Sequence, residues 1–147
     1  MSHFLFLESA IKARLRAALD AAGQPTVRIF SAPDLAAIDG TLPVPCVIVV
    51  FDDYRIAETA GYGKRLRISQ NWLAVVTVRS HANLKAGDAS RTQAGDIADT
   101  VIAALMGHPF DGCSKPAMLT NPPKANYEDG FFYLPVSIEV EITRAIP

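Results

Sequence analysis

The clearest pattern along the chain is an alternation near its end. Across residues 131–144 every second position is apolar, namely Phe132, Leu134, Val136, Ile138, Val140 and Ile142. The positions between them are mostly polar: Tyr133, Ser137, Glu139, Glu141 and Thr143. A period of two sustained that long predicts a half-buried β-strand with one wet face. A sheet wet on one side is normally antiparallel, because parallel sheets are covered on both faces. The chain is therefore expected to end on an antiparallel strand with no long tail after it. Pro135 lacks an amide donor, which predicts a sheet edge or a bulge at that point.

The same reading gives the other elements. Leu7, Ile11, Leu15, Ala18, Leu19 and Ala22 follow helical spacing, with Glu8, Lys12, Arg16 and Asp20 on another face. Gly23 and Pro25 end that helix. A strand is expected over residues 26–31, then a short turn or helix from Pro33 and Asp34 to Ile38, and a turn at Asp39-Gly40. Residues 44–58 and 65–79 read as two long strands of a hairpin joined at Gly61-Tyr62-Gly63. Their inner halves are apolar. The outer halves, residues 53–58 and 64–70, are too polar for full burial and are expected to project as an arm.

A second helix is predicted over residues 88–106, with Asp88 as N-cap and Ala94, Ile97, Ala98, Val101 and Leu105 as its buried stripe. Gly107 and Pro109 stop it. Residues 107–130 are irregular, with short strands expected at 118–119 and 124–128. Two helices on one face of a mainly antiparallel sheet, with a protruding β-hairpin arm, make a two-layer α+β fold. The 147 residues fit one domain.

Half of the residues are hydrophobic and a fifth charged, a globular composition. The longest apolar run, residues 44–51, is far short of the roughly 20 residues of a membrane span. Residues 1–7 lack the basic lead of a secretory signal, so a soluble protein made in the cytoplasm is expected. A net charge of −1 and no long basic run do not favour sequence-independent binding to phosphate. Cys46 and Cys113 stand far apart with no CxxC spacing, and Cys46 reads as a small buried hydrophobe rather than half of a disulfide.

Candidate chemistry is sparse. His3, His81 and His108 fall in the terminus and two loops, with no second ligand at helical spacing, and read as solvated. Asp52 and Asp53 form an adjacent carboxylate pair, but strand neighbours point to opposite faces and share a proton or metal poorly. They read as a polar switch at the base of the arm. No GxSxG, Walker or GxGxxG pattern occurs, and Cys113 has only His108 near it in sequence. Lys64, Arg65 and Arg67 beside Tyr62 face acidic residues on the partner strand and read as a solvated or protein-binding tip. No catalytic, cofactor-binding or metal residue is assigned, and the chain is not expected to be an enzyme.

Several segments resemble one family: Phe6-Leu7-Glu8-Ser9-Ala10-Ile11-Lys12-Ala13-Arg14-Leu15, Arg28-Ile29-Phe30-Ser31-Ala32-Pro33-Asp34-Leu35, Trp72-Leu73-Ala74-Val75-Val76-Thr77-Val78-Arg79 and Phe131-Phe132-Tyr133-Leu134-Pro135-Val136. In order and spacing they are similar to the tail terminator proteins of Mu-like contractile-tailed phages, prophages and tail-like particles. The resemblance implies a structural protein with no cofactor and a fold like that of tube-related proteins. It implies a homo-hexameric ring that caps the tail tube, stops its polymerisation and forms the head-joining surface. Its partners would be further copies of itself, the tail tube protein and a head-completion or neck protein. DNA would only pass through the lumen, and no membrane is involved. Assembly would take place in the host bacterial cytoplasm, with the final place at the head-proximal end of the virion tail.

On that basis Tyr54, Arg55, Glu58, Tyr62, Lys64, Arg65 and Arg67 are expected at a subunit or tube interface. Asp52, Asp53, Glu139 and Glu141 are the candidates for the lumen. Two other readings fit the residues as well. One is a head-completion or neck connector subunit. The other is a small ligand-binding α+β domain with its pocket between the sheet and residues 107–130.

Overall fold

The structure, a computed structural model, describes residues 3–32, 43–80 and 84–146. The elements run α1 (Leu7–Ala21), β1 (Arg28–Ala32), β2 (Cys46–Ala60), β3 (Arg65–Arg79), α2 (Leu84–Leu105), β4 (Met118–Thr120), β5 (Asn126–Glu128) and β6 (Phe131–Ala145). The expected turn from Pro33 through Gly40 lies outside the described residues, as does His81.

Helix α1 buries Leu7, Ile11, Leu15 and Leu19, one residue per turn along a single stripe. Its end is a Schellman motif. Gly23 takes φ +74°, its amide donates to the Asp20 carbonyl, and the Gln24 amide donates to the Leu19 carbonyl at 2.8 Å. Helix α2 starts at Leu84, so Asp88 lies within the helix and is not its N-cap. Leu84, Lys85 and Ala86 are good helix formers and carry the helix about one turn further upstream.

The strands form one six-stranded sheet in the order β1-β2-β3-β6-β4, with β5 also paired to β6. Only β1 and β2 are parallel; the other pairs are antiparallel. Both helices lie on one face, where Leu15, Leu19, Val47, Trp72, Val76, Val101, Leu105, Val136 and Ile138 belong to one core. This is the two-layer α+β arrangement that the periodicities predict. On the opposite face Cys46, Ile48, Val50, Leu73 and Val75 form a second buried cluster. Inner β2 and β3 are thus apolar on both sides, as their unbroken hydrophobic run requires.

Three further sequence expectations change in the structure. The alternating face of β6 is less wet than its polar residues imply, since Pro135 and Ser137 are buried. Strand β4 lies alongside, and the Thr120 and Ser137 hydroxyls meet at 2.7 Å. Next, the arm is not a two-stranded hairpin: β6 pairs with β3 along its whole length, from Arg65 opposite Ala145 to Arg79 opposite Phe131. Finally, Ile68, Ser69 and Gln70 are buried although the outer half of β3 reads as polar. Gln70 is satisfied inside: its Nε2 donates to the Phe4 carbonyl at 2.8 Å, and its Oε1 accepts from Trp72 Nε1 at 3.0 Å.

Pro135 does mark an edge. Beyond β6, β4 covers Ser137 to Glu139 and β5 covers Phe131 to Tyr133. Among the described residues no strand pairs with Pro135 on that side, where its missing amide costs no ladder bond.

Candidate functional site

The arm is the part of the molecule that the body does not use. From Asp52 to Ala60 every residue of β2 is exposed. Strand β1 pairs only with Cys46 to Val50, so the outer edge of β2 has no partner strand beyond that point among the described residues. Two irregularities break the β2–β3 register, between Phe51 and Asp53 and between Ile56 and Glu58. Bulges and charges of this kind blunt an open edge against indiscriminate pairing.

Cross-strand register sorts the candidate residues onto two faces. On one face lie three rows: Asp53, Asn71 and Glu139; Arg55, Ser69 and Glu141; Glu58, Arg67 and Thr143. The other face carries Tyr54 and Ile56 beside Gln70, Ile68 and Ile142, and it is the helix side of the sheet. Phe4, just before α1, stacks edge-on against Tyr54 at 5.3 Å and Phe51 at 6.4 Å, while Phe51 meets Trp72 at 5.1 Å. This aromatic chain fixes the base of the arm to the body. Tyr54 is therefore on a different surface from Arg55, Glu58 and Arg67.

The polar face is a network of paired charges. Arg67 pairs with Glu58 and lies 3.7 Å from Glu141, Lys115 reaches Glu141 at 3.2 Å, and Arg55 lies 3.7 Å from Glu139. Asp53 accepts from Asn71 at 2.7 Å. Residues expected at an interface thus neutralise residues expected in a lumen. Burial alone would raise the Glu141 carboxyl, but the Ser114 hydroxyl, Lys115 and Arg67 outweigh it and hold the group below its usual range. Asp52 is shifted up instead, first by burial and then by the neighbouring Asp53 charge. Asn71, Ser114 and Lys115 do not stand out in the sequence, because only the β3–β6 register and the return of the loop after α2 bring them here.

The tip is Gly61-Tyr62-Gly63, with φ of +60°, +58° and +84°. Tyr62 projects fully into solvent at 105% relative exposure. Arg65 folds back so that its Nε lies 3.3 Å from where a Gly61 Cβ would stand. A Cβ there would crowd the guanidinium by a few tenths of an ångström, and the positive φ already favours glycine.

Elsewhere the chemistry is quiet. Cys46 and Cys113 are free thiols, and burial pushes each up to about 11, against only a weak opposing hydrogen bond from Thr77 at Cys46. A thiol held that high is not an activated nucleophile. His108 is half-buried, edge-on to Phe110 at 4.5 Å, and its pKa is lowered by burial and by Arg14. It is a packed residue, not the freely solvated one its loop position suggests. Among the described residues no cluster of His, Cys, Asp and Glu could hold a metal ion, and no helix is long and apolar enough to cross a membrane.

The arm is thus exposed, blunted along its open edge and charge-paired within itself. A family model of phage tail terminator proteins matches residues 1–146. The chain belongs to the phage tail terminator family. Membership gives it a structural role in the tail of a phage-type particle, a role that places it among other tail and head proteins. A solved structure described as the virion of a native gene transfer agent particle contains a chain of similar fold, with TM-score 0.59 and 16% identity, over 93% of this chain and 94% of that one. At that identity the likeness speaks for the fold alone. No curated protein sequence matches the chain.

Proposed function

We propose that copies of this tail terminator family member close into a homo-hexameric ring that caps the tail tube, stops its polymerisation and presents the head-joining surface. The observation that carries this reading is the family match along nearly the whole chain, from residue 1 to 146. The arm supports it. A closed ring needs two different patches on each subunit, one meeting the other on the next copy. An exposed arm at one end of a rigid sheet supplies contact surfaces toward a neighbour or the tube protein: Tyr54 on its helix side, Arg55, Glu58 and Arg67 on the opposite side, and Tyr62, Lys64 and Arg65 at and beside the tip.

Asp52, Asp53, Glu139 and Glu141 line the DNA passage in this reading. With Arg55, Arg67 and Lys115 pairing two of these carboxylates, that face carries little net charge. Few phosphate contacts would then hold DNA as it passes through the lumen. Assembly takes place in the host bacterial cytoplasm, and the finished ring sits at the head-proximal end of the tail.

The test is removal of residues 57–64 with a short glycine turn in their place. Loss of ring mass in solution and on tubes, with the melting transition of the body retained, is the expected result. An unchanged ring mass and unchanged tail length would overturn the role given to the arm.

A further inference from the structure

Tyr62 is an aromatic residue held where its own chain gives it nothing to touch. It takes a left-handed backbone conformation, φ +58°, which side-chain-bearing residues rarely adopt. Its ring is fully exposed. The turn is nevertheless built firmly, by the Lys64 amide donating to the Gly61 carbonyl and by the Ile146 amide donating to the Lys64 carbonyl at 2.9 Å. Strain and exposure with no internal contact are what an anchor awaiting a partner shows.

A receptor of matching size lies at the other end of the sheet, on the face opposite the helices. It is an apolar cleft of about 130 Å³, bounded by Val75, Pro123, Tyr133 and Pro135, with Lys124, Asn126 and Glu128 at its rim. A cavity of roughly 150 Å³ holds one benzene-sized ring. Pro135 borders it where β6 has no outer strand partner. Glu128 and the adjacent exposed Asp129 give the rim an acidic excess over Lys124, and Lys64 and Arg65 beside Tyr62 give the tip two positive charges. From Arg65 to Val75 the strand spans roughly 33 Å at its usual rise per residue. A tip cannot reach its own cleft.

We infer that Tyr62 of one copy seats in the Pro123–Tyr133–Pro135 cleft of the next copy, with Lys64 and Arg65 over Glu128 and Asp129. The inference rests on the ring reading above and names its subunit contact. It is a head-to-tail contact between unlike patches, the kind that closes rings.

Two variants test it, each altering exposed residues: Tyr62→Ala removes the knob, and Asn126→Trp fills the cleft. Sedimentation of the full-length chain is expected to show a wild-type ring and each variant alone as a monomer, with association weakened about thirtyfold or more. An equimolar mixture is expected to stop at a heterodimer, because it offers one intact tip and one intact cleft. A wild-type ring that persists in either variant, or a mixture that stays monomeric, overturns the contact and leaves the ring reading standing. A wild-type chain that stays monomeric even on tail tubes overturns both.

Discussion

Replacing Gln70 by Leu should destabilise the chain by about 2–4 kcal/mol, far more than a polar-to-apolar change in a strand normally costs. Gln70 has no exposed surface and bridges the backbone just before α1 to the Trp72 indole. It donates to the Phe4 carbonyl at 2.8 Å and accepts from the Trp72 indole at 3.0 Å. Leucine fills most of the space but leaves a buried indole N–H and a half-buried carbonyl unpaired. Each such group costs about 1–3 kcal/mol, partly offset because an apolar side chain is cheaper to bury than a carboxamide. The melting temperature should fall by roughly 5–10 °C. Phe4 would also lose its tether, and with it the stack on Tyr54 that orients the arm. Urea unfolding followed by the fluorescence of Trp72, the single tryptophan, measures the loss. The same substitution in a Trp72→Phe background, read by circular dichroism, should cost less by about 0.5–2 kcal/mol, because one orphan is no longer created. A Gln70→Leu chain within about 0.5 kcal/mol of wild type, or an equal cost in both backgrounds, would show that the two hydrogen bonds of Gln70 do not stabilise the fold as described.

Three further outcomes follow from the geometry. Glu141 has a folded-state pKa held below its unfolded value, so its contribution is present above the ordinary carboxylate pKa and is lost as pH falls through the depressed one. Glu141→Gln should lower the melting temperature at pH 7 and converge with wild type in strong acid; parallel curves across that range would contradict the network. Gly63 and Gly112 both have positive φ, +84° and +86°, but a Cβ on Gly63 meets nothing whereas one on Gly112 stands 2.9 Å from the Phe6 ring. Urea titrations should therefore find Gly63→Ala costing about 1 kcal/mol and Gly112→Ala at least about 1 kcal/mol more, with equal costs arguing against that packing. Leu15→Ala, in the fully buried stripe of α1, should cost about 3–5 kcal/mol by the same measurement, and a cost under 1 kcal/mol would show that α1 does not pack as described.

Much of the fold is legible in the residues themselves. The alternation from Phe132 to Ile142, the stripe from Leu7 to Leu19 and the Gly61-Tyr62-Gly63 turn each carry their own period or punctuation. Long-range register does not. Nothing local says that β6 lies along all of β3, and so nothing local says that Gln70 is covered or that the arm has three strands. The start of α2 is missed for a different reason: Asp88 looks like a cap, yet Leu84, Lys85 and Ala86 propagate the helix past it. The candidate site divides in the same way. The arm is visible as a polar stretch between apolar halves, but the sorting of Tyr54 from Arg55, and the pairing of Arg67 with Glu141 and of Arg55 with Glu139, depend on bulges and on a third strand.

Under the proposed function this chain ends the growth of the tail tube. The most direct test is the length of tails in negative-stain images of particles produced without the chain. Tubes well beyond the normal length and without heads are expected, restored to uniform length when the wild-type chain is supplied. Tails of normal length that merely lack heads would contradict that function and place the chain in the neck instead.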